Sequence, residues 1–184
     1  MIHEAASARS NRAGMTLPAP SSAPIPPRSP LNLAPVLERS RARRALSDTR
    51  YRNAESFLLA IEERLFSDTS DLLYQTGIVV QLALTSHLLD VGFDDRWCAR
   101  HIGLHIDKAL AYANATGLNY QSAALERLAP VLSPYNVWRN PDLDGSQPPV
   151  PNSLPDIPAL LREMLDHVRG VTGHACPRRR KAHG

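Results

Sequence analysis

Residues 71–117 constrain the fold more than any other stretch, because they contain two long helical patterns separated by a turn sequence. In residues 71–91 apolar side chains recur at steps of three and four, which is the period of an α-helix. The positions of this stripe are Leu73, Gly77, Val80, Leu84, Leu88 and Val91. Ile78, Leu82 and Leu89 form a second stripe on another side. A helix that is apolar on two sides is normally buried between neighbours, so we place it at the centre of the fold.

The residues that follow the turn at 91–94 predict a second helix, which runs back along the first. Asp94 and Asp95 are acids suited to the amides and the positive dipole of a helix N-terminus, and Gly117 suits a left-handed cap at its end. The apolar stripe between them contains Cys98, Ile102, Ile106, Ala109 and Ala113. We therefore expect an all-α protein, a bundle of about five helices around a central antiparallel hairpin at about 71–91 and 94–116.

Proline content and charge divide the chain into three parts. Residues 1–35 are rich in Pro, Ser and Ala and cannot bury enough apolar surface to offset the entropy of ordering them, so we expect disorder. Residues 36–170 form a single helical domain with a Pro-rich connection at 130–158. Residues 171–184 are expected to be a basic, mobile tail.

The expected compartment is the cytoplasm. The N-terminus lacks the apolar run of a secretory signal, and two distant cysteines, Cys98 and Cys176, suit a reducing environment. The apolar helix at 71–91 is long enough to span a bilayer, but polar residues such as Gln81 and Asp90 interrupt it. Because polar groups are costly in hydrocarbon, we expect no membrane span.

The net charge of +3 hides a strong segregation of charge along the chain. Residues 1–52 carry +6, residues 53–170 carry −7 and residues 171–184 carry +4. Arginine forks suit phosphate oxygens, so the two basic clusters predict weak, sequence-independent binding of nucleic acid or another polyanion. The residues expected to bind are Arg39, Arg41, Arg43 and Arg44 in the first cluster and Arg178, Arg179, Arg180 and Lys181 in the second. The alternative is that both clusters are solvated tails that only increase solubility.

Three of the seven histidines lie in the predicted hairpin. His101 and His105 are four residues apart and so share one side of a helix. In an antiparallel hairpin, His87 would lie at about the level of His101. Three converging imidazoles are a candidate site for zinc or iron. The alternative for His105 is a hydrogen-bonded core histidine, because this residue falls on the apolar stripe.

Arg100 and His105, which are separated by four residues, resemble the Arg-x4-His motif of the helical HEPN-fold ribonucleases. In that family the Arg and the His carry RNA cleavage, and the residue after the Arg is commonly polar, as His101 is here. Asp107 stands where an aromatic residue often follows the His, which is a departure from the family pattern. The resemblance implies that Arg100 and His105 are the catalytic pair.

These patterns favour a non-enzymatic regulatory or adaptor module over an enzyme. We expect it to bind a protein partner or a second copy of itself through the apolar hairpin, together with weak polyanion binding through the basic clusters, and to use no cofactor. The alternative is a HEPN-like ribonuclease or a metal-binding helical enzyme that uses Arg100, His101 and His105.

Overall fold

The computed structural model describes residues 37–139, 149–150 and 153–175. All of the regular structure in these ranges is helical, which confirms the predicted all-α class. The helices are α1 (Arg41–Glu62), α2 (Thr69–Val91), α3 (Asp95–His101), α4 (Ile106–Ala115), α5 (Ala123–Leu128) and α6 (Ile157–Thr172), and a 3₁₀ turn spans Tyr135–Trp138. The predicted disorder of residues 1–35 and most of the basic tail fall outside the described residues.

Helix α2 is the centre of the core, as its two apolar stripes predict. Helices α1, α4 and α6 and the 3₁₀ turn all pack against it. Leu73, Val80, Leu84 and Leu88 have no exposed surface, and Leu89 on the second stripe is also buried. The neighbouring helices therefore cover most of the apolar surface of α2.

The same helix is the one described segment that is long and apolar enough to cross a membrane, judged by length and composition alone. The mean hydropathy of its most apolar window is 1.3, and 72% of that window is buried inside the protein. Burial against the other helices explains this composition without a bilayer.

The predicted turn after α2 is confirmed, but the predicted second helix at 94–116 is wrong in its continuity. Gly92 ends α2 in the left-handed region, and the Asp94 carboxylate accepts hydrogen bonds from the amides that begin α3. Helix α3 then ends at His101, because Gly103 (φ +60°) turns the chain out of the helical path. The Gln81 side chain donates to the Gly103 carbonyl at 2.9 Å and fixes this turn on α2.

Helix α1, which begins within the first basic cluster, makes the most extensive contact with α2. Helix α1 has 22 residues and begins where the Ser40 hydroxyl accepts from the Arg43 amide. Ser47 and Tyr51, which lie among the basic residues of this helix, are fully buried.

Helix α6 extends beyond Gly170, the expected end of the helical domain. It begins at the Asp156 cap and continues to Thr172, where Gly173 ends it in the left-handed region. The residues just beyond it, assigned from the sequence to the mobile tail, lie on the helical body, and His174 is only 5% exposed. This placement brings the end of the described chain against the beginning of α1.

Candidate functional site

Three arginines of α1 contact acidic side chains around the junction of α2 and α3. The pairs are Arg43 with Asp94, Arg44 with Asp90 and Arg50 with Asp95. These contacts give a physical reason for part of the charge segregation in the sequence. The basic side chains of α1 neutralise acids of the body within the same molecule.

Arg43 and Arg44 also bind backbone carbonyls at helix ends. Arg43 donates to the Gly92 carbonyl at 2.8 Å, and Arg44 donates to the Thr172 carbonyl at 2.7 Å. Carbonyl groups in the last turn of a helix have no partner within the helix, so these guanidinium groups cap α2 and α6. Two of the four arginines in the first basic cluster are therefore engaged in structural contacts.

Arg39 and Arg41 differ from their neighbours. Both side chains are exposed. Neither forms an ion pair or a side-chain hydrogen bond with any other described residue. Their charges therefore face solvent at the beginning of α1, where the helix dipole adds a partial positive charge.

These two arginines line a cleft of about 850 Å³, which we call the basic cleft. The first two turns of α1 form one wall, and the end of α6 with the residues after it forms the other. The lining residues are Arg39, Ser40, Arg41, Arg44, Ala45, Asp48, Asp90, Val171, Thr172, Gly173, His174 and Ala175. Sequence reasoning did not find this cleft, because its two walls lie more than a hundred residues apart in the chain.

Both acids in the basic cleft have basic partners. Asp48 pairs with Arg52 at 2.7 Å, and Asp90 pairs with Arg44. Among the described residues, the charges of this cleft that have no counterion are those of Arg39 and Arg41, so the cleft favours an anionic ligand.

The far wall of the basic cleft is held by the buried imidazole of His174. Its Nε2 atom lies 2.9 Å from the Ser47 hydroxyl and 3.0 Å from the Ser86 hydroxyl. Its Nδ1 atom lies 3.8 Å from the Asp48 carboxylate and has no hydrogen-bond partner among the described residues. The Tyr51 ring packs against the imidazole with ring centroids 5.2 Å apart.

The surrounding groups favour a neutral imidazole with its hydrogen on Nδ1. The Ser47 hydroxyl donates to the Ser86 carbonyl at 2.7 Å, so the Ser86 hydroxyl is left to donate to Nε2 of His174. Burial lowers the pKa of His174 below its usual 6.5, and the positive charge of Arg44 lowers it further, whereas Asp48 and Asp90 act in the opposite direction. The neutral form is therefore the one that fits between α1 and α2.

A serine, a histidine and an aspartate in this order also invite comparison with a hydrolytic triad. A nucleophilic serine must reach a substrate, but Ser47 and Ser86 have no exposed surface. The hydroxyl hydrogen of Ser47 is also committed to a carbonyl. The arrangement fixes the residues just after α6 to the core and does not present a nucleophile to a substrate.

The three histidines suggested as metal ligands lie in three different surroundings. His87 is buried, and its Nε2 atom lies 3.4 Å from the Thr116 hydroxyl at the end of α4. His101 is exposed on α3 and stacks on the Trp97 indole at 4.7 Å. His105 immediately precedes α4 at the N-cap position, and its side chain makes no capping hydrogen bond. No group of three or more His, Cys, Asp or Glu side chains in the described part of the chain is arranged to hold a metal ion, so the fold adds no support for a three-histidine metal site.

Arg100 and His105, the residues that resemble the ribonuclease motif, lie on either side of the turn between α3 and α4. Arg100 is exposed in the last turn of α3, and His105 is half-buried at the start of α4. Within the described residues, neither side chain forms a hydrogen bond or ion pair that would orient it toward the other. The ribonuclease interpretation stays a prediction that the fold does not strengthen.

Comparisons with protein-family models, with curated proteins and with solved structures find no match for this chain.

The second basic cluster, Arg178 to Lys181, lies outside the described residues.

Proposed function

We propose that this protein is a non-enzymatic helical adaptor module, and that the basic cleft binds an acidic segment of a protein partner. The observation that carries the proposal is the contrast between two pairs of arginines. Arg43 and Arg44 are bound to acids and carbonyls of the body, whereas Arg39 and Arg41 line the cleft without a counterion among the described residues. Two unpaired guanidinium groups at a helix N-terminus favour a carboxylate or phosphate group.

The remaining lining of the cleft favours a peptide over a nucleic acid. Val171 is 45% exposed on the far wall, and Ala45 and Ala175 leave space for an apolar side chain. None of the described lining residues is a large aromatic ring on which a base could stack. The net charge of −7 on residues 53–170 would also repel a long polyanion.

We place the partner surface at the basic cleft and not on α2, the central helix of the hairpin that the sequence suggested as an interface. Both apolar stripes of α2 pack against α1, α4, α6 and the 3₁₀ turn. Ile78 and Leu82 keep only partial exposure. Because α2 presents no exposed apolar stripe, we prefer the basic cleft to the apolar hairpin as the partner surface.

The test is a fluorescence-anisotropy titration with a labelled peptide of alternating Glu and Leu, about ten residues long. We expect binding that weakens with salt, and a loss of about three- to tenfold in the double variant Arg39→Ala/Arg41→Ala, since each exposed ion pair contributes roughly 0.2–1 kcal/mol. The matched control is Arg96→Ala/Arg100→Ala, which removes the same charge from exposed residues of α3 that do not line the cleft.

Three outcomes would overturn the proposal. One is the absence of peptide binding at low salt, and another is an equal loss in the two double variants. The third is tighter binding of a single-stranded DNA oligonucleotide of matched charge with the same dependence on Arg39 and Arg41, which would make nucleic acid the partner. Arg43 and Arg44 are left unchanged in these experiments, because their replacement would break contacts that hold α1 to the body.

A further inference from the structure

In the described residues that follow α6, the buried titratable side chain of His174 attaches the chain to the body. Gly173 ends the helix with φ +68°, and its amide donates to the Arg169 carbonyl at 2.8 Å. His174 then inserts between α1 and α2, where it contacts the hydroxyls of Ser47 and Ser86. We call residues 173–175 the latch segment. All three of its residues line the basic cleft.

The proton balance at His174 makes this attachment sensitive to pH. A proton added at Nε2 turns the only ring acceptor into a second donor, and the Ser86 hydroxyl then loses that acceptor. The added charge would also be buried, since the side chain has no exposed surface. Protonation therefore favours a conformation in which the ring leaves the core and reaches water.

The charged groups around His174 come from two helices and do not remove this effect. On α1 the ring faces the carboxylate of Asp48, the guanidinium of Arg44 and the phenol of Tyr51. On α2 the nearest charge is Asp90, which is itself paired with Arg44. Asp48 is likewise paired with Arg52. Both carboxylates are thus partly neutralised and give only limited support to an imidazolium.

Release needs no unfolding of the main helix. Thr172 is the last residue of α6, and its hydroxyl donates to the Val168 carbonyl at 2.7 Å, so this end of the helix is held independently of the latch segment. Rotation about Gly173 would carry His174 and Ala175 away from α1. The basic cleft would then lose part of its far wall while Arg39 and Arg41 stay in place.

We propose that His174 is a pH-dependent latch for the basic cleft: the neutral imidazole holds residues 173–175 in the cleft wall, and protonation releases them and weakens binding of the acidic segment. The binding part of this inference rests on the proposed function. The release of the latch segment does not, so the two are tested by separate readouts.

Release is measured on the full-length protein without ligand. Hydrogen exchange of the peptide that covers residues 165–177, corrected for intrinsic rates, should show protection of the latch segment at about pH 7.5 that falls at about pH 5.5. The docking equilibrium changes by up to about tenfold for each pH unit between the released and docked pKa values. NMR titration of the His174 ring should give a pKa below 6.5. Constant protection, or a ring that titrates at or above its usual value, would overturn the latch.

Binding is measured with the Glu–Leu peptide over the same pH range. A protein gains positive charge as the pH falls, so a rigid cleft would bind an acidic peptide more tightly in acid. A latch predicts the opposite, a fall in affinity of about threefold or more between about pH 7.5 and about pH 5.5. The variant His174→Gln should lose this fall, whereas His101→Gln, an exposed histidine on α3, should keep it.

The outcomes separate the two proposals. pH-dependent protection of the latch segment without any peptide binding would reject the proposed function and the binding part of this inference while the latch stands. Peptide binding that strengthens in acid, with constant protection, would reject the latch and leave the proposed function standing. If His174→Gln does not fold, the exchange and ring-titration measurements on the unmodified chain still decide.

Discussion

Gly77 on α2 lies directly beneath the side chain of Tyr135 in the 3₁₀ turn. A Cβ atom added at Gly77 would overlap the Cβ of Tyr135 and lie 2.5 Å from its Cγ. The aromatic ring of Tyr135 in turn contacts Tyr74, with ring centroids 6.0 Å apart. The absence of a side chain at Gly77 therefore lets the segment that follows α5 pack onto the central helix.

The first prediction concerns this contact. Gly77→Ala should lower the free energy of unfolding by about 1–3 kcal/mol, because the added methyl group forces the 3₁₀ turn away from α2. Gly170→Ala is the matched control, since Gly170 lies in α6 with open space around it. There the same change should raise the free energy of unfolding by about 0.5–1 kcal/mol. Urea denaturation measures both, and effects of the same sign would contradict the packing at Gly77.

The central helix and the caps around it could be predicted from the sequence because local patterns determine them. The period of α2 appears in its apolar residues, and Asp68, Asp94 and Asp156 are side chains that commonly cap helices. The structure uses each of them as an N-cap. The apolar stripe of residues 98–113 is also buried as predicted, although the helix is broken within it.

The cleft could not be predicted, because it depends on contacts between distant parts of the chain. The arginines of α1 look alike in the sequence, and only the fold separates Arg44, bound to the end of α6, from Arg41, which faces solvent. His174 follows a helix end in a region rich in basic residues, which is typical of a tail. Its burial depends on Ser47 and Ser86, and nothing local to residues 171–184 indicates them.

The second prediction concerns Arg162, which joins α6 to α1. Its guanidinium donates to Glu55 at 2.7 Å and to Glu62 at 2.7 Å. The Glu55 side chain is only 6% exposed, so Arg162→Met would leave a buried carboxylate whose remaining partner among the described residues is the Tyr51 hydroxyl. We expect a loss of about 1–3 kcal/mol in unfolding free energy.

Two further variants test the cause of that loss. Arg127→Met removes an exposed arginine of α5 and should change stability by less than about 0.5 kcal/mol. Adding Glu55→Gln to Arg162→Met should recover part of the loss, because a neutral amide is less costly to bury than a carboxylate. If the changes in unfolding free energy from Glu55→Gln alone and from Arg162→Met alone add up to that of the double variant, Glu55 and Arg162 do not interact.

The third prediction concerns the thiol of Cys98, which lies in the middle of α3 and is 3% exposed. Burial raises the pKa of this thiol to about 12, and the nearby Asp95 carboxylate raises it in the same direction. The reactive form is the thiolate. In a Cys176→Ser variant, one thiol should therefore stay unreactive toward Ellman's reagent at about pH 8 in the folded protein and react fully in denaturant. Rapid labelling of the folded variant would contradict this burial.

The fourth prediction concerns the pH dependence of stability at His87, which is buried between α2 and α4. Burial lowers the pKa of His87 below its usual 6.5, whereas the nearby Asp90 acts in the opposite direction. The unfolded chain therefore binds a proton at a higher pH than the folded chain does. The stability that neutral His87 contributes is complete above about pH 6.5 and is lost as the pH falls toward the lowered folded value.

His87→Gln removes this titration and should flatten the fall in unfolding free energy between about pH 7.5 and about pH 5.5. The slope is the informative quantity, because a buried glutamine also changes stability at every pH. His101→Gln, on the exposed surface of α3, should leave the slope unchanged, and carboxylates contribute equally to all three proteins. Urea denaturation across this range gives the slopes. A slope in His87→Gln equal to that of the unmodified chain would mean that His87 accepts a proton as readily inside the fold as in the unfolded chain.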